Sequence, residues 1–501
     1  MSTINSSVNN PTHISKEKKR RPIKELNWIL SNTSNFNHIT FFNHFKNYKK
    51  RTAIRRFKIA VDYFIVDEFA ETQILNNFHV WNANNEGMNY WIHRDIEIAL
   101  NTNSNDSIIT ADSGTVVDNS VTSTSVRSFD IFDQIKDFLT RNIFLVDAGH
   151  YLVGQLNVHE CFHRFQLHIK DLIISKQLLT IESHVPHILS TSSTLLLCST
   201  IDISMNSYFD NAATTVLDDM HIRLGLHSKK FPRLLLIKMI DIINDINLKK
   251  YECSEGISQL YQLMKGEEEL VKRCITLMIR LLQTLPLKHD YTSIKEQDLC
   301  SRYLVPVLQS FFDYRFSEEK ILFHFKDNLN MECLNDISLT RSRPDGLIVQ
   351  ERSSGQVSLG FIEVKPLKEA NNHYKMNMDL IRLSVFSKNA MDKHKLRNVM
   401  TIQAIGTNLT FYLMQHFVGG LYIMVELDHL RFPTSINELE LLVGFLDRIL
   451  NLMAVFKEHC AEQREVVIDG LKQTLRSPVL TKITTTTVDR KRTNYCQHYC
   501  H

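Results

Sequence analysis

The sequence predicts a mixed α/β protein: a mainly helical N-terminal half, then a compact C-terminal domain of order α-β-β-α-β-β-α. Three observations predict it. Apolar residues recur at helical spacing in 230–248 and 257–285. After residue 286 the pattern changes to short strand-like runs at 341–350, 356–366, 401–417 and 420–430. Helical patterns at 293–313, 373–394 and 437–459 flank those runs, which is the layering of an α/β domain. Hydrophobic residues at 43% and charged residues at 23% sit near the globular average, which excludes wholesale disorder. Fifteen glycines and ten prolines in 501 residues exclude collagen-like and Pro/Gly-rich classes.

Taken in chain order, residues 1–60 read as a basic, partly disordered arm. They carry a formal charge of +11 against −8 for the remainder, which suits nuclear import or binding along a phosphate backbone. The stretch 56–75 has helical spacing, and with Ala53 just before it, Phe57, Ala60, Val61 and Phe64 can share one face. Residues 61–285 form the mainly helical region, interrupted at 103–128 by a loop rich in Ser, Thr, Asn and Asp. Pro286 ends its last helix. The helix at 293–313 opens on a capping box, Ser293 with Glu296. Residues 320–325 read as a strand or a helix end, and 286–459 bound the C-terminal domain. A polar tail covers 460–501. No apolar run reaches about 18 residues, so no membrane span is expected. The N-terminal stretch lacks the apolar core of a secretory signal. Nine cysteines scattered from Cys161 to Cys500 favour a reducing compartment. Cytoplasm or nucleus is expected, and the Lys/Arg run at 16–24 favours the nucleus.

Chemistry concentrates in the C-terminal domain. Glu363 and Lys365 are two apart on an expected strand, so they leave the same face, while Ile362 and Val364 point into a core. If the hairpin is symmetric about Ser354, Asp345 lies opposite Glu363, with Cβ atoms about 5 Å apart. Two carboxylates at that distance are unfavourable without a cation between them. Hard oxygen ligands, few in number and completed by water, suit Mg²⁺ or Mn²⁺. Lys365 on the same face can orient water or stabilise developing charge.

The stretches Arg343-Pro344-Asp345-Gly346 and Phe361-Ile362-Glu363-Val364-Lys365, with the order of elements from about 293 to 430, resemble the PD-(D/E)xK nuclease superfamily. The resemblance implies a restriction-endonuclease-like domain and metal-dependent hydrolysis of phosphodiesters in DNA or RNA. It implies Asp345, Glu363 and the carbonyl of Val364 as metal ligands, and Lys365 as the catalytic lysine. An acid on the preceding helix would assist, Glu296 first and Asp298 second. Tyr374, Lys375 and Asp379 on the following helix would line the rim. The alternative is a catalytically inactive nuclease fold serving as a scaffold or interaction protein, since a fold does not secure a function.

A second motif competes. His159-Glu160-Cys161-Phe162-His163 matches H-E-x-x-H, which on a helix places two zinc ligands on one face with Glu160 as general base. Glu182 has the spacing of a third ligand, with His168 or His184 as substitutes, so a zinc metallopeptidase is the remote alternative. With 22 histidines in the chain the pattern also arises by chance, and the flanks Gly154, Asn157, Arg164 and Gln166 lack the expected strand-helix pattern. Cys496, His498, Cys500 and His501 are too compressed to wrap one tetrahedral zinc. No P-loop, Rossmann glycine fingerprint or G-x-S-x-G elbow is present.

Overall fold

The computed structural model describes residues 37–45, 50–64, parts of 74–94, 131–143, 151–288, 294–315, 320–325, 344–352, 355–463 and 470–485. The chain divides into two compact units, Met1–Ser125 and Val126–His501.

The first unit is built on aromatic residues. Helix α1 (His38–His44) starts with a reciprocal cap: Asn37 accepts from the Thr40 N–H, and the Thr40 hydroxyl accepts from the Asn37 N–H. Helix α2 (Lys50–Phe64) buries Ala53, Phe57, Ala60 and Val61, the face its spacing predicts. Phe41, Phe42, Phe78, Trp81 and Trp91 complete this core. Residues 37–45 and 50–60, expected within a loosely ordered arm, are therefore largely helical and packed.

The second unit is a mixed α/β structure around one eight-stranded sheet. Its strands are β1 (Thr194–Leu197), β2 (Tyr314–Arg315), β3 (Lys320–Phe325), β4 (Gly346–Arg352), β5 (Gly355–Lys365), β6 (Asn398–Ile405), β7 (Asn408–Phe417) and β8 (Leu421–Arg431). The spatial order is β1-β8-β7-β6-β5-β4-β3-β2. β1 runs parallel to β8 and β5 parallel to β6; the remaining pairs are antiparallel. The run 401–417, expected as one strand, is split between β6 and β7 by a turn at Gly406, which holds φ of +58°. A left-handed residue of this kind favours glycine and reverses the chain.

Helix α3 (Val158–Ile174) carries the H-E-x-x-H segment. The run 257–285, expected as one helix, forms two, Cys253–Leu263 and α4 (Glu269–Thr284). Gly266 at φ +80° turns the chain between them. Ser293 of the expected capping box lies outside the described residues, as do 103–128 and 486–501. The helix that follows begins at Glu296, widens into a π-turn over Leu299–Leu304, and continues as α5 (Val305–Phe312). Pro306 stands just after the widening. Its ring excludes the carbonyl one turn back, and a π-turn relieves that clash.

One hydrophobic core runs through 126–285 and 286–459 alike. Arg273 of α4 shows the join: it donates to the Asp313 carbonyl at 2.6 Å and lies over the Tyr314 ring at 3.7 Å. Residues 470–485, expected as part of a polar tail, pack on the same body. The buried ammonium of Lys388 donates to the carbonyls of Ser192, Lys472 and Gln473. Thr484–Thr485 pairs in parallel with Leu179–Thr180. Among the described residues no helix is long and apolar enough to cross a membrane.

Candidate active site at the end of the central hairpin

The β4–β5 hairpin sets the site. Nearest its loop, Arg352 pairs with Gly355 and Val349 with Ser358; past a bulge at Leu359, Ile348 pairs with Gly360 and Gly346 with Ile362. The bulge moves the register by one residue, so Asp345, just before Gly346, comes level with Glu363. Position 360 has no room for a side chain: a Cβ there would stand 2.6 Å from Ile348 Cδ1 and 2.8 Å from the Met400 carbonyl. Glycine lets β4, β5 and β6 close up behind the site.

Asp345 Oδ2 accepts the Val364 N–H at 2.7 Å, which holds its carboxylate against the end of β5. Ile362 and Val364 are buried in the core, and Glu363 and Lys365 share the opposite face. That face lies under helix α6 (His373–His394), which joins β5 to β6. The stacked rings of Phe361 and Phe386, 5.4 Å apart, fix the helix on the sheet. Gln403, the register partner of Glu363 on β6, donates to the Met376 carbonyl at 2.7 Å and ties down the start of α6.

Two residues of α6 enter the site. Arg382 grips both oxygens of Glu363, Nη2 to Oε1 at 2.9 Å and Nη1 to Oε2 at 3.1 Å. Asp379 Oδ2 lies 2.9 Å from Lys365 Nζ, and its Oδ1 lies 3.4 Å from Arg382 Nη1. Lys365 Nζ also donates to the Val364 carbonyl at 3.0 Å and stands 3.8 Å from both Asp345 and Glu363. Glu363 has no exposed side-chain surface, whereas Asp345 keeps 33%. Burial pushes the Glu363 carboxyl well above the usual range; Arg382 opposes the shift, and Asp379 and Asp345 add to it. Burial likewise raises Asp379 against the pull of Lys365 and Arg382. At Lys365 burial favours the neutral amine, but Asp379, Asp345 and Glu363 outweigh it and hold the ammonium charged.

The donor chemistry fits a hard divalent cation: two carboxylates and one carbonyl, Asp345, Glu363 and Val364. The same oxygens are also held by Arg382 and Lys365. Among the described residues, no three His, Cys, Asp or Glu side chains are gathered to hold a metal ion. Glu296 and Asp298 stand exposed at the start of their helix. Burial drives the thiol of nearby Cys300 up to about 12, with Asp345 and Glu296 adding to that shift. Lys375 turns away to pair with Glu369 at 2.9 Å, and Tyr374 is half-buried. Arg382 escaped the sequence reading. Its signal is the spacing Asp379-x-x-Arg382, which puts both on one helix face.

The zinc motif does not gather. His159 Nδ1 accepts the Tyr151 N–H at 3.0 Å, and Nε2 lies 3.1 Å from the Val418 carbonyl, to which it donates. Both ring nitrogens are thus taken by backbone. Glu160 is exposed, His163 half-buried, and Glu182 fully buried. His184 Nδ1 bonds Thr180, and His168 lies beside Tyr208. Cys496, His498, Cys500 and His501 lie outside the described residues.

The chain matches no protein-family model, no curated protein and no solved structure.

Proposed function

We propose that the second unit is a restriction-endonuclease-like domain that hydrolyses phosphodiester bonds in nucleic acid with Mg²⁺ or Mn²⁺. The observation that supports this is the convergence of Asp345, Glu363 and Lys365, with Lys365 Nζ 3.8 Å from each carboxylate at the end of β5. Asp345, Glu363 and the Val364 carbonyl would hold the cation, which supplies Lewis-acid polarisation of the phosphoryl oxygens. Lys365 orients the attacking water through Nζ. Water adds to phosphorus, the bond to the leaving oxygen breaks, and that oxygen takes up a proton. The basic segment 1–60 would add salt-dependent backbone affinity, in the nucleus or cytoplasm. A second reading, a catalytically inactive scaffold, is favoured by one observation: Arg382 pairs with both oxygens of Glu363.

The test is cleavage of labelled single- and double-stranded DNA and RNA with Mg²⁺ or Mn²⁺. Activity of the wild type that disappears with EDTA, with Asp345→Asn and with Lys365→Ala is the expected result. Equal background in all three folded proteins overturns hydrolysis in favour of the scaffold.

A further inference from the structure

Building on the hydrolysis reading, we propose that Arg382 is the resident counter-ion that closes Glu363 until a divalent cation takes its place. The freed guanidinium then pairs with a phosphate of the nucleic acid, so that cation and substrate load together.

Four observations carry it. One of the two carboxylates a cation would use is closed: Glu363 is fully buried, with Arg382 Nη1 donating to Oε2 at 3.1 Å and Nη2 ion-paired 2.9 Å from Oε1, which has no hydrogen bond among the described residues. The closing group itself reaches solvent, because the Arg382 side chain keeps 18% of its surface. It therefore has somewhere to go. It also stands 3.4 Å from Asp379 and 5.7 Å from the Phe386 ring, the face from which it would swing. Asp345 is the open half of the site, a third exposed and tethered to the Val364 N–H. A cation can meet Asp345 first and reach Glu363 only as Arg382 leaves.

Charge makes the exchange selective. A bound cation requires its carboxyl ligands deprotonated; with Asp345, Glu363 and Asp379 all ionised, three negative groups face the two positive groups Lys365 and Arg382. A divalent cation added to that set leaves one positive charge in excess. One phosphodiester cancels it. A guanidinium matches phosphate with a forked pair of hydrogen bonds, so a phosphate offers Arg382 a fuller partner than the Glu363 ion pair it leaves. Reciprocity follows: if phosphate stabilises the open position of Arg382, nucleic acid tightens cation binding, and the cation tightens nucleic-acid binding by the same factor.

The experiment is calorimetric titration of the full-length chain with Mn²⁺ in the presence and absence of short phosphorothioate DNA and RNA oligonucleotides. Wild type, Arg382→Met, Arg382→Lys and Asp345→Asn are compared. The wild type should bind Mn²⁺ about ten-fold more tightly with oligonucleotide than without. Arg382→Met should bind about ten-fold more tightly than wild type without it, and gain little from adding it. Arg382→Lys, which can reach only one carboxylate oxygen, should fall between them. Asp345→Asn should not bind. Arg382 variants that bind no more tightly than wild type overturn the counter-ion role and leave hydrolysis standing. No Mn²⁺ binding by any folded variant overturns the hydrolysis reading, and this one with it. A wild-type measurement covers variants that fail to fold: phenylglyoxal labelling of Arg382 should rise on adding Mn²⁺, and unchanged labelling overturns the proposal.

Discussion

The strand end at Lys365 and the helix at His159 both begin as motifs with correct spacing, and the protein treats them differently. At His159 the two ring nitrogens are spent on the backbone, one accepting from Tyr151 and one donating to Val418. The histidine pins two loops together and offers nothing to a ligand. At Lys365 the charged groups are spent mainly on one another. Five ionisable side chains stand within reach of each other, one of them a third exposed. Spacing puts side chains on a common face. Whether a ligand can join them depends on what else already claims their lone pairs and protons.

That contrast can be broken first on activity. Asp345→Asn should drop metal-dependent cleavage to background, while His163→Ala keeps it at the wild-type rate. Cleavage lost in the histidine variant would move the chemistry to the helix. The next effect is on stability. His159→Ala leaves the Tyr151 N–H and the Val418 carbonyl without their partners, at a cost of about 2–4 kcal/mol in denaturant unfolding. An unchanged midpoint, together with bound zinc in the wild type, would reverse the comparison.

The third effect is a pH dependence on the histidine side. His187 is buried, its Nδ1 has no hydrogen-bond partner, and burial lowers its pKa from 6.5 to about 4. The unfolded chain takes up that proton near 6.5 and the folded chain only near 4. Stability contributed by the neutral ring is full above 6.5 and is lost as pH falls towards 4. A loss of about 2–3 kcal/mol between those limits is expected in urea midpoints. His187→Gln should flatten it. The smallest effect belongs to Lys375→Ala. Its pair with Glu369 is solvent-exposed, so cleavage should be unchanged and stability should move by less than about 1 kcal/mol.

Much of the candidate site is legible in the sequence, for a reason that can be named. Pairing Asp345 with Glu363 requires a hairpin symmetric about Ser354. Near the loop the actual register is one residue off, Arg352 opposite Gly355, and the bulge at Leu359 restores it before the site is reached. The helix around Ala53, Phe57 and Ala60 was legible because a single apolar stripe fixes its face. Other features depend on distant residues. The run Thr194-Leu195-Leu196-Leu197 is buried on every side, so it carries no period to separate strand from helix, and it sits inside a helical region. Only β8, more than two hundred positions later, makes it a strand. Arg382 was hidden in a different way: an arginine on a helix reads as a solvated charge until the carboxylate beneath it is known.

The pairing of β1 with β8 has a cost in time. Thr194 must wait for Tyr422 to leave the ribosome before its hydrogen bonds can form. At roughly 5–20 residues per second that delay is on the order of ten to fifty seconds. Throughout it, a strand of one threonine and three leucines has no partner, and it is the kind of segment that pairs edge to edge with a neighbouring chain. Its closure against β8 is therefore a late step of folding, governed by synthesis as much as by loop entropy. A holding chaperone would have its longest opportunity on this short segment.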